Sequence, residues 1–506
     1  MPALILLLAS GFLLFPWWLV VVEIILGVSV YSSLQESPAK AQSPRDGILT
    51  WVWFLVMLLS IAIHIFPFSF SQTPLGYDTG IYRYEILSSF QALPEYVSGL
   101  FLGLPLVTNV ALLFGVGVDQ LLTVGYGLIA LIVALSLSFL SDRWWGRREA
   151  LAALLFFTIS LVQWKAYEMI LVKQLLAMAL VFLSCWLFKR RSLLVLIPLA
   201  FVTLLQPLDA VLVGISALGY AVLSSLQDRD DRRYFATLFL IGGAAALALL
   251  ISDAGYWTVL WQQFSQGLAD PTQIDLSLQK GVFITLEDFG YQSAFFFVFG
   301  VIGWLIEIRS RRATITSLYF LVLLLWIMLR LFFYQRLLIQ LDAMLIFYSA
   351  LSVVRFVESF AHDRMGKILA VAVLLGMSAP FVMTLARFEP LVSATELARI
   401  ETFCGQLDSG VYVAATDSYY APWLKGYCLG QRAFGPGIFP DNHWSRSDWE
   451  SIWKGDREKI AALLKQVDGP LYFYIGENQV QIELNPEQFE WVSKGWWRAG
   501  PPAGGV

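Results

Sequence analysis

Long apolar runs follow one another as far as residue 387, and small basic clusters punctuate them. The clusters are Lys40/Arg45, RWWGRR (143–148), KRR (189–191), RDDRR (229–233), RSRR (309–312) and Arg355/Arg364/Lys367; they hold half of the chain's 34 Lys and Arg residues. An apolar stretch of about 20 residues crosses a bilayer as a helix. Short loops rich in Lys and Arg stay cytoplasmic. If all six clusters share that side, two crossings must separate each neighbouring pair.

Four pairs of runs meet the condition directly: 150–164 with 167–188, 193–206 with 210–226, 235–252 with 292–308, and 313–334 with 336–356. The first interval offers three runs, 48–68, 97–116 and 119–141. The middle one contains Gly and Pro and lacks charged flanks, so it is expected to lie along, or re-enter, the outer surface. Run 366–386 then carries the C-terminus outside. Residues 2–33 are interrupted at FPWW (15–18) and lack the basic start of a cleavable signal. Whether they form one span or two is open.

The expected fold class is an α-helical polytopic membrane protein of about 12–13 transmembrane helices, with a small C-terminal extracytoplasmic α/β domain. Composition agrees: 58% of residues are hydrophobic, 14% are charged, and the mean hydropathy is +0.67. A net charge of −4 with no basic arm argues against nucleic acid as a partner. Three Cys and three His make no metal-type cluster. The transmembrane domain is placed at 1–387, with a first outer loop at 69–118 and a long one at 253–291. The tail, 388–506, mixes strand-like GVYVAAT and PLYFYIG with helical REKIAALLKQV. Cys404 and Cys428 both fall in the tail. Outside the membrane a disulfide is permitted, and the sequence leaves their pairing open.

The chemistry gathers on the predicted outer face. In PLGYDTGIYRYEI (74–86), Asp78 is placed to cap a short helix over 79–92, with Tyr82 and Glu85 on the same side at i+4 and i+7. The same carboxylate is a candidate general base, supported by Glu85 or Tyr82. Lys165, Lys173, Arg330 and Arg336 lie near outer span ends, against the positive-inside trend. Snorkelling or a Lys165–Glu168 pair would account for them. So would an anionic ligand, for which Arg336 is the best phosphate candidate, with Arg330 and Lys173 beside it. Glu287 and Asp288 end the long loop, either solvated or touching an acceptor or a metal ion. Asp209, in LLQPLDA, reads as turn chemistry beside Pro207, as do Asn, Asp and His in GIFPDNHWSRSDW (437–449).

This arrangement resembles the GT-C glycosyltransferases, polytopic enzymes that move a sugar from a polyprenyl-phosphate or -diphosphate donor on the outer face. YDTGIYRYE (77–85) occupies the place of that family's catalytic Asp loop. LPEYVSGLFLGLPLVTNVALLFGVG resembles its membrane-surface helix, and SFLSDRWWGRREALAALLFFTIS (138–160) its basic hairpin. The resemblance implies an inverting transferase with Asp78 as base, Glu168 as a second acidic residue and Arg336 on the donor phosphate. It also implies a plasma (inner) membrane location. Implied partners are a lipid-linked sugar donor, the bilayer, and a glycan, lipid or protein acceptor. Many members carry Asp-Glu where this chain has Asp78-Thr79. The chain also lacks the Asp-x-Asp and Trp-Trp-Asp-Tyr-Gly signatures of oligosaccharyltransferases. No cofactor is certain, and a divalent metal, Mg or Mn, stays open. Alternatives are a polysaccharide polymerase or ligase acting on lipid-linked repeats, and a non-enzymatic lipid or sugar transporter, for which internal repeats would be expected.

Overall fold

The structure is a computed structural model that describes residues 44–70, 73–91, 103–225, 229–252, 284–310, 314–331, 334–360, 368, 378–436, 444–477, 484–485 and 487–500. The spans expected in 2–33 lie outside these residues. So do most of loop 253–291, most of run 366–386, and 437–443 of the GIFPDNHW turn.

In chain order the helices are α1 (Pro44–Phe70), α2 (Thr79–Gln91), α3 (Gly103–Leu113), α4 (Tyr126–Trp144), α5 (Arg147–Ile159), α6 (Leu161–Glu168) and α7 (Val172–Lys189). They continue as α8 (Leu196–Leu205), α9 (Pro207–Ser225), α10 (Arg229–Ser252), α11 (Leu286–Gln292), α12 (Ala294–Ser310), α13 (Ile315–Met328) and α14 (Leu338–Phe360). Five segments among the described residues are long and apolar enough to cross a membrane: Leu49–Phe68, Val118–Trp144, Val172–Lys189, Pro207–Ser224 and Leu338–Glu358. The number reaches seven if the bent pairs α5–α6 (53°) and α11–α12 (77°) each count as one span. The chain is a multi-pass membrane protein.

Three of the expected runs are divided differently from their apolar pattern. The sequence separates 150–164 from 167–188, whereas the chain breaks at Ser160 and again at Met169–Leu171. Ser160 leaves the helix because its hydroxyl caps α6, accepting from the Gln163 amide at 3.2 Å. After Glu168 the chain closes a Schellman turn: Ile170, at φ +55°, donates to the Tyr167 carbonyl at 3.0 Å, and Leu171 donates to Ala166 at 3.5 Å. Run 313–334 stops being helical at Met328. There Arg330, at φ +50°, donates to Ile327 at 3.0 Å and Leu331 to Trp326 at 3.1 Å. Left-handed geometry costs a β-branched residue such as Ile170 about 1–2 kcal/mol, which burial of its side chain helps to offset.

Two compact units divide the chain. One comprises Met1–Pro67, Val97–Gln273 and Phe283–Glu389. The other comprises Phe68–Tyr96, Ile274–Val282 and Pro390–Val506, so the stretch around Asp78 belongs with the tail. In the first unit, polar pairs tie helix to helix where lipid offers no competing water. Glu307 on α12 accepts from Trp144 Nε1 at 3.1 Å and from the Tyr348 hydroxyl at 2.8 Å. Ser349 on α14 donates to the Phe296 carbonyl at 3.0 Å.

The second unit adds α15 (Ala394–Gln406), β1 (Tyr412–Ala415), α16 (Ala421–Tyr427), β2 (Arg432–Phe434), α17 (Arg446–Lys454), α18 (Arg457–Leu464), β3 (Leu471–Tyr474), β4 (Phe489–Ser493) and β5 (Trp496–Ala499). The sheet runs β2-β1-β3-β5-β4, with β1 parallel to both neighbours and β5 antiparallel to β3 and β4. All four β1 residues are buried, so both of its faces are covered. Val413 and Ala415 face a core with Tyr420, Trp423 and Trp496; Tyr412 and Ala414 face one with Trp444, Trp449 and Phe473. Cys404 and Cys428 form a disulfide that ties the end of α15 to the end of α16.

Candidate functional site

In the second unit, Asp78 stands where α2 begins: its carbonyl accepts the Tyr82 amide at 3.0 Å. Tyr82 is buried, Glu85 half-buried, and the two share a side of the helix with Asp78. What fixes this helix is α16. A Cβ on Gly80 would lie 1.7 Å from the Pro422 carbonyl oxygen, and one on Gly426 would lie 2.4 Å from the Gly80 oxygen. Two glycines therefore let the helices touch backbone to backbone. Arg83 donates to the Gly426 carbonyl at 2.5 Å and stacks 4.2 Å over the Tyr427 ring, while Lys425 Nζ lies 4.3 Å over Tyr84.

The loop before α2 meets the carboxyl end of β1. Tyr77 packs edge-on against Tyr419, ring centroids 6.2 Å apart. Burial, then the charges of Asp78 and Asp417, push the Tyr77 hydroxyl well above the ordinary tyrosine range. Two carboxylates thus come within electrostatic reach of one protonated phenol. Asp417 is set by its own turn, accepting from the Tyr419 amide at 2.7 Å. The carboxyl end of a central parallel strand, with neighbours on both sides, is where open α/β sheets bind ligands.

In the first unit the candidate cations take different positions. Lys173 is buried in the first turn of α7, Arg336 is half-buried in the turn before α14, and Arg330 is exposed. Gln174 links the first two segments by donating to the Arg336 carbonyl. Glu168 accepts from Trp164 Nε1 at 2.7 Å and from Lys165 Nζ at 3.0 Å, the i,i+3 pair that accounts for Lys165. Glu287 and Asp288 are both exposed in the first turn of α11. Asp288 accepts the Thr285 hydroxyl at 2.7 Å, and Thr285 in turn caps the Asp288 amide at 3.0 Å. That is end-capping of an ordinary kind.

Three carboxylates of the first unit that are almost wholly buried escaped the sequence as site candidates. Asp342 accepts from Ser160 Oγ and Ser293 Oγ, both at 2.7 Å, and from Gln163 Nε2 at 3.0 Å. It thereby joins the breaks of both bent pairs to α14. Asp209 and Glu307 are the other two. Their signal was one carboxylate inside an apolar run, as in LIQLDAML, which carries no spacing to read.

No family model matches the sequence, and no curated protein is similar to it. Solved structures do match. The Archaeoglobus fulgidus oligosaccharyltransferase in complex with Zn and sulfate aligns at TM-score 0.58 and 13% identity, over 84% of this chain and 68% of that one. Its apo form aligns at 0.59 and 12%, over 84% and 69%. ArnT from Cupriavidus metallidurans in the apo state aligns at 0.52 and 11%, over 85% and 94%. Both proteins are polytopic membrane glycosyltransferases of the GT-C superfamily. The fold is that of the GT-C glycosyltransferases. In this GT-C fold the sequence resemblance and the architecture agree on a helical membrane unit followed by a small C-terminal sheet domain. Among the described residues, no three His, Cys, Asp or Glu side chains converge as metal ligands do.

Proposed function

We propose that the protein transfers a sugar from a polyprenyl-phosphate or -diphosphate donor to an acceptor hydroxyl on the extracytoplasmic face of the plasma membrane. The observation that carries this reading is the seating of Asp78: α2 is held backbone to backbone on α16, with Tyr77 beside both Asp78 and Asp417. A base must be held in a productive geometry to take a proton in the transition state. Asp78 accepts the acceptor's hydroxyl proton. The acceptor oxygen forms its bond to the anomeric carbon as the bond from that carbon to the phosphate oxygen breaks. The phosphate departs with the electron pair, so the sugar inverts. Arg336, with Lys173 and Arg330, is assigned the departing phosphate, whose growing charge such cations stabilise. Glu85 and Tyr82 support the Asp78 face. The acceptor is assigned to the second unit, at the carboxyl end of β1.

The test is incubation of purified protein in lipid with a panel of polyprenyl-phosphate sugars, reading transfer, donor hydrolysis and anomeric configuration. Asp78→Asn should reduce transfer by about 10²–10⁴-fold while expression is retained. Full activity in that variant sinks the assignment. A transporter reading draws on the buried Asp209, Glu307 and Asp342 and on the two bent pairs; flux of lipid-linked sugar without transfer would favour it.

A further inference from the structure

Asp209 is fully buried in the first turn of α9. Among the described residues its carboxylate has a single hydrogen-bond donor, Nε2 of Gln340 on α14, at 3.1 Å from each oxygen. Oε1 of Gln340 accepts from Nε2 of Gln174 on α7 at 2.8 Å, and that same nitrogen donates to the Arg336 carbonyl. The three side chains are at least 96% buried. A carboxylate held by one neutral amide is a poor way to stabilise a membrane helix bundle: burial of the charge is expensive, and an apolar pair of similar size packs at lower cost.

The arrangement does have a direction. A side-chain amide can turn over and exchange its oxygen for its nitrogen, whereas an ionised carboxylate only accepts. Both Asp209 oxygens meet the Gln340 nitrogen at 3.1 Å, so Gln340 presents its nitrogen on that side and its oxygen on the other. That oxygen compels Gln174 to present its nitrogen, which then captures the Arg336 carbonyl. Reversed, Gln174 would set an oxygen against that carbonyl and push the turn away. The turn 334–337 is not helical; its own backbone closes with Leu337 donating to Tyr334 at 3.1 Å and Leu338 to Gln335 at 3.3 Å, and Gln174 holds the Arg336 carbonyl from outside it.

We infer that Asp209 is a positioning residue which, through Gln340 and Gln174, fixes the turn carrying Arg336 for recognition of the donor's phosphate. The inference rests on the assignment of Arg336 proposed above. Gln174 also follows Lys173 in the chain, so one relay sets the segments of both cations.

The experiment measures binding of undecaprenyl phosphate, and of uncharged undecaprenol as control, to the full chain in nanodiscs. Asp209→Leu should weaken undecaprenyl phosphate binding about tenfold, the scale of one lost charge-assisted contact, and leave undecaprenol unchanged. Asp209→Asn, which keeps an acceptor oxygen, should recover most of the loss. In an Arg336→Ala background, Asp209→Leu should cost nothing further. Should Asp209→Leu fail to fold, Asp209→Leu/Gln340→Leu replaces both partners by apolar groups. It should melt no lower than the wild type yet lose phosphate discrimination. Additive losses from Asp209→Leu and Arg336→Ala, or equal weakening of undecaprenol, overturn the relay and leave Arg336 in place. Wild-type phosphate binding in Arg336→Ala overturns the Arg336 assignment and the relay with it.

Discussion

Gly80 and Gly426 are the residues on which the seating of Asp78 depends. A methyl at Gly80 has no room against the Pro422 carbonyl, which is backbone and cannot swing aside. Gly80→Ala should therefore lift α2 off α16, at a cost on the order of 3 kcal/mol or more, as overpacking commonly brings. Limited proteolysis between residues 68 and 96, compared with a neutral exposed variant, checks it; wild-type protection would contradict the close approach. In the other unit, Asp342 accepts from Ser160, Ser293 and Gln163, the last of which also donates to the Ile339 carbonyl at 3.0 Å. Asp342→Ala takes the acceptor from two buried hydroxyls and one of two from the Gln163 amide, and should lower stability by about 2–5 kcal/mol, with Asp342→Asn milder. A thermal-unfolding series in lipid reads this directly.

At the scale of elements, the disulfide and the two-helix contact act on one piece of structure. Cys428 ends α16, whose first turns receive α2. The bridge spans 24 residues to Cys404, and a loop of that size is worth roughly 3 kcal/mol against the unfolded chain. Cys404→Ser/Cys428→Ser should lower the unit's stability by about that much, and hydrogen exchange in α2 should rise along with that in α16. Much of this level was legible in the residues. The runs GVYVAAT, PLYFYIG and REKIAALLKQV mark β1, β3 and α18, and Asp78 falls at the start of its predicted helix. What hid was long-range. Nothing in GYCLG announces that Gly426 touches a helix 343 positions away from it by way of Arg83. Gln174 and Gln340 look like incidental polar residues in apolar helices until the fold aligns their amides. The helix breaks at Ser160 and Ile170 were masked because capping and a left-handed turn interrupt a helix without interrupting its hydropathy.

For the whole molecule, the second unit carries the titratable chemistry outside the membrane. Burial, then neighbouring negative charge, raises the Tyr77 and Tyr474 hydroxyls above the ordinary 10.0. For a group raised in the folded state, the contribution to stability is complete below that ordinary value and declines as pH climbs past it. The unit should hold its melting temperature through neutral pH and lose it progressively above pH 10, with tyrosinate absorbance appearing together with unfolding. Absorbance rising before the unit unfolds would show these phenols to be accessible. The grouping of Phe68–Tyr96 with Pro390–Val506 also sets a timetable for biosynthesis. Arg83 leaves the ribosome 343 residues ahead of Gly426. At about 5–20 residues per second the helix behind Asp78 waits roughly 20 to 70 seconds for its platform. During that interval its Gly80 face is uncovered. A nascent chain interrupted between Glu389 and Ala421 would hold every element of the first unit and still lack the platform on which α2 rests.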